Sequence, residues 1–228
     1  MRTSKPLSIV LAVLTALLVL SGSIAVPLLC RPFYYAHIGP LGLVESTGLT
    51  QEQIRTAFDQ VMDFCLGLRP DFAAGELIFS QSGASHFADV RTLFLLDLWI
   101  LGLSLAALAA VFVYCRLKKV RPHLFCGHGP GFWGAVGLGA AFLVVGGLAA
   151  LDFDRAFTVF HAIFFPGKDN WIFDPSTDQI ILVMPEVFFR NCALLIGGVL
   201  LLCCAALILG DCLSRRARRR AALGLGAS

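Results

Sequence analysis

Four separate runs of apolar residues, each about as long as the hydrocarbon core of a bilayer is thick, constrain this chain more than any other feature. They cover residues 7–29, 93–115, 132–151 and 193–210. Roughly 20 residues of helix cross a membrane, and backbone groups in lipid must find partners within their own segment. Helix is therefore the economical conformation for all four. Composition supports this: only 14% of the 228 residues are charged and mean hydropathy is +0.80, whereas a soluble domain carries about a quarter charged residues. The expected fold class is an all-α membrane protein, a single integral membrane domain over residues 1–228. The first run follows Arg2 and Lys5 but exceeds the roughly 7–15-residue core of a cleaved signal. It is read as a retained helix.

Basic residues set the expected orientation. Arg2 and Lys5 precede the first run, Arg116, Lys118, Lys119 and Arg121 follow the second, and Arg215, Arg216, Arg218, Arg219 and Arg220 follow the fourth. These eleven of the 18 Lys and Arg fall on one side if four helices alternate. The positive-inside rule makes that side cytoplasmic. Both termini, the loop at 116–131 and the tail at 211–228 are then inside, and residues 30–92 and 152–192 form two extracytoplasmic segments with short interfacial helices. Thirteen of the 15 acids lie in those two segments; the exceptions are Asp97 and Asp211. Topology thus accounts for most of the basic residues, which argues against nucleic-acid binding. Of the eight cysteines, only Cys30 and Cys65 fall together on the outer side, and whether they form a disulfide is open.

Local patterns add detail. Thr50 followed by Gln53 forms a capping-box signature, and the helix it opens places Ile54, Ala57, Phe58, Val61, Cys65 and Leu68 on one face. Such a helix lies on a membrane surface or roofs a bundle. In the third run, Gly131, Ala135, Gly139, Gly146 and Ala150 make a small-residue stripe suited to close helix packing. His123 and His128 read as solvated loop histidines. In the second outer segment, Phe153, Phe157, Phe160 and Phe164 recur at helical spacing beside His161. Trp171 fits the headgroup level, Asp174-Pro175 a helix start, and Pro185-Glu186 a break before the last run.

The candidate chemistry sits on the outer side. His37 reads as an interfacial anchor, which leaves His86 and His161, each near the end of a membrane run. If the second helix starts early, His86, Val90, Leu93 and Asp97 share a face, with Asp89 one turn from His86. Asp97 is costly to place in lipid and is a functional candidate by default. The chain has no G-x-S-x-G, P-loop, H-E-x-x-H or dinucleotide fingerprint. A non-catalytic membrane binding module and a metal-dependent membrane hydrolase remain alternatives on the residues alone.

The run FDRAFTVFHAIFF, then Trp171, then FDPSTDQIILVMPEVFF resembles the signature of the lipoprotein intramolecular transacylase family, and SHFADVR around His86 resembles its other block. The resemblance implies an acyltransferase of the bacterial cell membrane with its active site on the extracytoplasmic face. The sn-2 acyl chain of a lipoprotein's diacylglyceryl-cysteine would move to the α-amine of that same cysteine, leaving a lyso-form lipoprotein. It implies His86 and His161 as the catalytic pair, with no acyl-enzyme, metal or other cofactor. Diacylated lipoproteins and membrane lipid are the expected partners. Asp89 and Asp154 are candidates to orient an imidazole, Arg91 and Arg155 to steady an oxyanion. Asp97, Trp171, Asp178 and Glu186 are further supporting candidates, and the four phenylalanines are candidates to line an acyl groove.

Overall fold

The structure is a computed structural model and describes residues 2–223. Four of its helices are long and apolar enough to cross a membrane: α1 (Lys5–Leu29), α5 (Gln81–Lys118), α6 (Pro130–Leu151) and α9 (Glu186–Ala222). Two of them outrun their apolar stretches. At 1.5 Å per residue, the 38 residues of α5 span about 57 Å, nearly twice a hydrocarbon core, so its first turns extend beyond the apolar run at 93–115. It starts early because Ser80 caps it: Ser80 Oγ accepts from Gly83 N at 2.9 Å. α9 starts directly after the break at Pro185, as expected.

The shorter elements are α2 (Arg31–Tyr35), α3 (Leu43–Thr47), α4 (Gln51–Cys65), α7 (Phe153–Phe164) and α8 (Ile180–Val183). Strand β1 (Arg2–Ser4) pairs in parallel with β2 (Val120–Pro122), a feature with no signal in the apolar pattern. The Asp174-Pro175 pair does not start a helix. Asp174 Oδ1 instead accepts from Ser176 N and Oγ, both at 2.8 Å, closing an Asx turn, and helix resumes only at Ile180.

The chain divides into two compact units. One combines Ile24–Leu98 with Leu148–Ile196, and α4 is the centre of its core. The capping box forms as expected, with Thr50 Oγ1 accepting from Gln53 N and Gln53 Oε1 from Thr50 N. Ile54, Ala57, Phe58, Val61 and Cys65 are buried. Leu68, expected on the same face, is 71% exposed, because the helix ends at Cys65 and Gly67 turns the chain at φ +75°. Tyr34 stacks on Phe58 with centroids 3.7 Å apart, and its buried hydroxyl donates to Val183 O at 2.6 Å. Arg31 ties α4 down through Asp59 (3.0 Å) and Asp63. Cys30 and Cys65 are both free thiols, so the possible bridge does not form.

The other unit holds Trp99–Gly147 with residues up to Ser23 and from Gly197. The small-residue stripe is used only in part. Gly134 meets the backbone of α1, where a Cβ would lie 2.5 Å from Ala12 O, and Gly139 faces Cys204. Gly131 has open space around it, and Gly146 faces only Phe142 of its own helix. His128 is not a solvated loop residue. Its Nδ1 lies 2.6 Å from Asp211 Oδ2, Arg215 bonds Nε2, and its ring stacks on Phe132 at 3.9 Å.

Gly134→Ala is expected to lower the melting temperature of the detergent-solubilised protein, because overpacking against backbone costs about 1–3 kcal/mol. Gly137→Ala meets nothing within 4 Å and should leave the melting temperature unchanged or raise it, since alanine favours helix.

Candidate functional site

His86 and His161 come together within the unit formed by Ile24–Leu98 and Leu148–Ile196. His86 lies in the second turn of α5 and His161 in the last turn of α7. Their rings are 5.7 Å apart, centroid to centroid, at 32°. Both residues are buried, at 5% and 6% exposure. Phe165, immediately beyond α7, packs against both, 5.0 Å from His86 and 5.6 Å from His161. Phe173 meets the His86 ring edge-on at 5.5 Å, and Trp171 stacks on His161 at 4.5 Å. The site is an aromatic box around two imidazoles.

The His161 ring is held through Nδ1. His161 Nδ1 bonds the carbonyl of Phe157, one turn earlier, at 2.7 Å. That leaves Nε2 available. Trp171 is fixed in turn by Nε1–H donating to Lys168 O at 3.1 Å. Around His86 the polar groups come from the loop behind α7. Lys168 Nζ pairs with Asp89 Oδ1 at 2.6 Å, and Asn170 Nδ2 donates to Asp89 Oδ2 at 3.0 Å and Ser85 Oγ at 3.1 Å.

Burial dominates the electrostatics. It pushes His86 down from the ordinary 6.5 to about 4, assisted by the neighbouring His161, while Asp89 pulls the other way. His161 is also lowered by burial, against the opposing bond to the Phe157 carbonyl. Burial would raise Asp89, but hydrogen bonds from Lys168 and Asn170 outweigh it and hold the carboxylate below its usual range. At neutral pH the centre is two uncharged imidazoles beside a carboxylate–ammonium pair.

The supporting candidates separate. Asp89 bonds Asn170 and Lys168, and its charge favours protonation of His86. Asp178 is buried and holds the start of α5: it accepts from Ser80 N at 2.9 Å and from Ser80 Oγ at 2.9 and 3.0 Å. Arg91 is turned away from the pair, donating to Arg69 O at 3.1 Å and covering Phe64 at 4.9 Å. Asp154 and Glu186 interact with each other, and Asp154 raises Glu186 by accepting a hydrogen bond from its protonated carboxyl. Arg155 is exposed, and only its backbone N–H is engaged, by the Asp152 cap at 3.0 Å. Asp97 lies eleven residues along α5 from His86, about 16 Å by helix rise, and is half-buried.

Phe157 is 4.3 Å from the His161 ring and Phe153 is 6.2 Å from Phe157. Phe160 and Phe164 sit 4.6 Å apart and are 46% and 49% exposed. Sequence reasoning missed Phe165, Phe173, Lys168 and Asn170. The only signal available for them was a polar Lys-Asp-Asn stretch wedged between His161 and Trp171. Among the described residues, no three His, Cys, Asp or Glu side chains come together as a metal site.

Comparison with known proteins places this geometry in context. The family described as lipoprotein intramolecular transacylase Lit matches residues 9–189. The fold is similar to the solved membrane-integral Lit of Bacillus cereus, with TM-score 0.79 at 21% identity over 93% of this chain and 96% of that one. It is also similar to a variant of that protein carrying a histidine-to-arginine mutation, with TM-score 0.77 at 19% identity over 94% of this chain and 93% of that one. No curated protein matches the chain.

Titration of the buried pair leaves a measurable trace. Below pH 6.5 the unfolded chain takes up protons that folded His86 refuses until about pH 4, so stability is full above that window and is lost as pH falls through it. The melting temperature should drop between pH 6.5 and 4, and the drop should be smaller in His86→Gln; thermal scans of both proteins at matched pH check this.

Proposed function

The chain belongs to the lipoprotein intramolecular transacylase family, and on that premise we propose that His86 and His161 carry out its proton transfers on the extracytoplasmic side of a bacterial cell membrane. The substrate is a diacylated lipoprotein whose N-terminal cysteine bears diacylglycerol on sulfur and a free α-amine. The amine nitrogen attacks the carbonyl carbon of the sn-2 ester. A tetrahedral intermediate forms, the bond from that carbon to the glycerol oxygen breaks, and the acyl group remains on nitrogen as an amide. The nitrogen must shed one proton and the departing glycerol oxygen must gain one.

The observation that carries this reading is the pair of neutral imidazoles 5.7 Å apart in a box closed by Phe165, Phe173 and Trp171. Two rings at that spacing reach one reacting centre from two directions. The attacking nitrogen becomes strongly acidic once the new N–C bond forms, so an imidazole with a lowered pKa still accepts its proton. A second imidazole then returns a proton to the alkoxide. Nucleophile and ester belong to one molecule, so positioning takes the place of a bimolecular encounter, and no serine or cysteine nucleophile is required. Apolar walls keep water from competing with the amine. The face of Phe157, Phe160 and Phe164 beside His161 supports a groove for the transferred chain.

Acyl position on the N-terminal cysteine, read by mass spectrometry of lipopeptides incubated with the purified protein, tests this. The native chain should convert the diacylglyceryl form into the N-acyl lyso-form. His86→Ala and His161→Ala should each lose about 10²–10⁴-fold in rate with the helical far-UV signal intact. Full activity in either variant would end the two-histidine reading, and unchanged lipopeptide with the native chain would end the transacylase reading for this substrate.

A further inference from the structure

We propose that Asn170 is a positioning residue for His86: its side-chain carbonyl accepts a hydrogen bond from His86 Nδ1–H and so fixes the tautomer that leaves Nε2 as the reacting nitrogen. This rests on the reading of His86 as a proton-transfer group. His86 Nδ1 and Asn170 Oδ1 are both enclosed, and among the described residues neither has a partner that meets hydrogen-bond geometry. Enclosed polar atoms without partners are rare because they forfeit the bonds water would have made. Here two of them, one able to donate and one to accept, belong to side chains that already interact, with Asn170 favouring the protonated form of His86 as an acceptor does.

The orientation of the carboxamide is set from its other end. Asn170 Nδ2 donates to Asp89 Oδ2 at 3.0 Å and Ser85 Oγ at 3.1 Å, and Lys168 Nζ holds the second carboxylate oxygen at 2.6 Å. Flipping the amide would set its carbonyl against a carboxylate. Oδ1 is therefore what remains for His86, and an acceptor there requires the proton to sit on Nδ1.

Helix geometry explains why His86 needs outside help and His161 does not. His161 Nδ1 uses the carbonyl one turn back, Phe157 O, at 2.7 Å. The equivalent carbonyl for His86 is Ser82 O, which already accepts from Ser85 Oγ at 2.7 Å. Asn170 supplies the missing acceptor from the loop behind α7. With it, both rings are anchored through Nδ1 and offer Nε2. An amide suits the place because it orients without charge. A carboxylate there would favour imidazolium and oppose the effect of burial. The titratable groups that act on His86 are His161, Asp89 and Lys168, and the last two are paired with each other.

The test combines ¹⁵N-histidine NMR of the full chain in nanodiscs with the pH dependence of transfer on a synthetic diacylated lipopeptide. The His86 signal is identified by its loss in His86→Gln. In the native protein at pH 7 it should show the Nδ1–H tautomer. Asn170→Ala should mix the tautomers and lower kcat about 10-fold with KM little changed. Asn170→Asp should move both the His86 titration and the acidic limb of the rate profile to higher pH. A His86 signal and acidic limb unchanged in both variants would overturn the role of Asn170. Full activity of His86→Ala would instead remove the functional reading, while the NMR result still decides whether Asn170 sets the tautomer.

Discussion

A short clamp between two distant stretches of chain holds the site together. Gln179 N donates to Ile78 O and Ile78 N donates to Gln179 Oε1, both at 3.0 Å, and next to them the Asp178 carboxylate takes Ser80 N and Oγ. These bonds fix the start of α5 to the end of the loop that follows α7. Everything between His161 and Asp178, including Phe165, Lys168, Asn170, Trp171 and Phe173, is thereby laid over the second turn of α5. Gly83 is part of the arrangement. A Cβ at that position would collide with the Asp178 carboxylate and approach Phe173 to 3.3 Å. The uncharged Gln81-Ser82-Gly83-Ala84 stretch thus has a steric purpose: it lets a buried acid approach the helix backbone.

The second consequence of that clamp is electrostatic. Two imidazoles buried in an aromatic enclosure resist protonation, and His161 further discourages charge on His86. Asp89 favours charge on His86, and Lys168, paired with it, offsets part of that effect. A centre of this kind is a poor host for a permanent charge. It is well matched to a reaction in which charge exists only briefly, between attack and collapse.

The large-scale plan was legible because lipid enforces it. Four apolar runs predicted four helices, and the Thr50–Gln53 box fixed the start of α4. The juxtaposition of His86 and His161 was expected from topology together with a family resemblance, and the rings do meet. What stayed hidden depends on contacts far apart in sequence. Asn170 and Lys168 carry no periodic signal, and their importance comes from touching Asp89 some 80 positions earlier. Asp174-Pro175 looked like a helix start, but its carboxylate turned on its own loop through Ser176. His128 looked solvated because Asp211 and Arg215, which hold it, lie 83 and 87 positions later in the sequence. Leu68 fitted the stripe of α4 by spacing, yet Gly67 had already ended the helix.

The two sides of α7 differ in a way that bears on how the protein meets its substrate. The inward side carries buried His161, while Val159, Phe160, Ile163 and Phe164 point outward at 46–66% exposure. A surface so apolar is at home beside acyl chains. On the proposed transacylase reading, a lipid-anchored substrate would arrive by sliding sideways in two dimensions and would never have to leave the bilayer. For a catalyst with that geometry, turnover tracks the mole fraction of substrate among surrounding lipids, and diluting the membrane with inert lipid slows it even when the amount per litre is held constant.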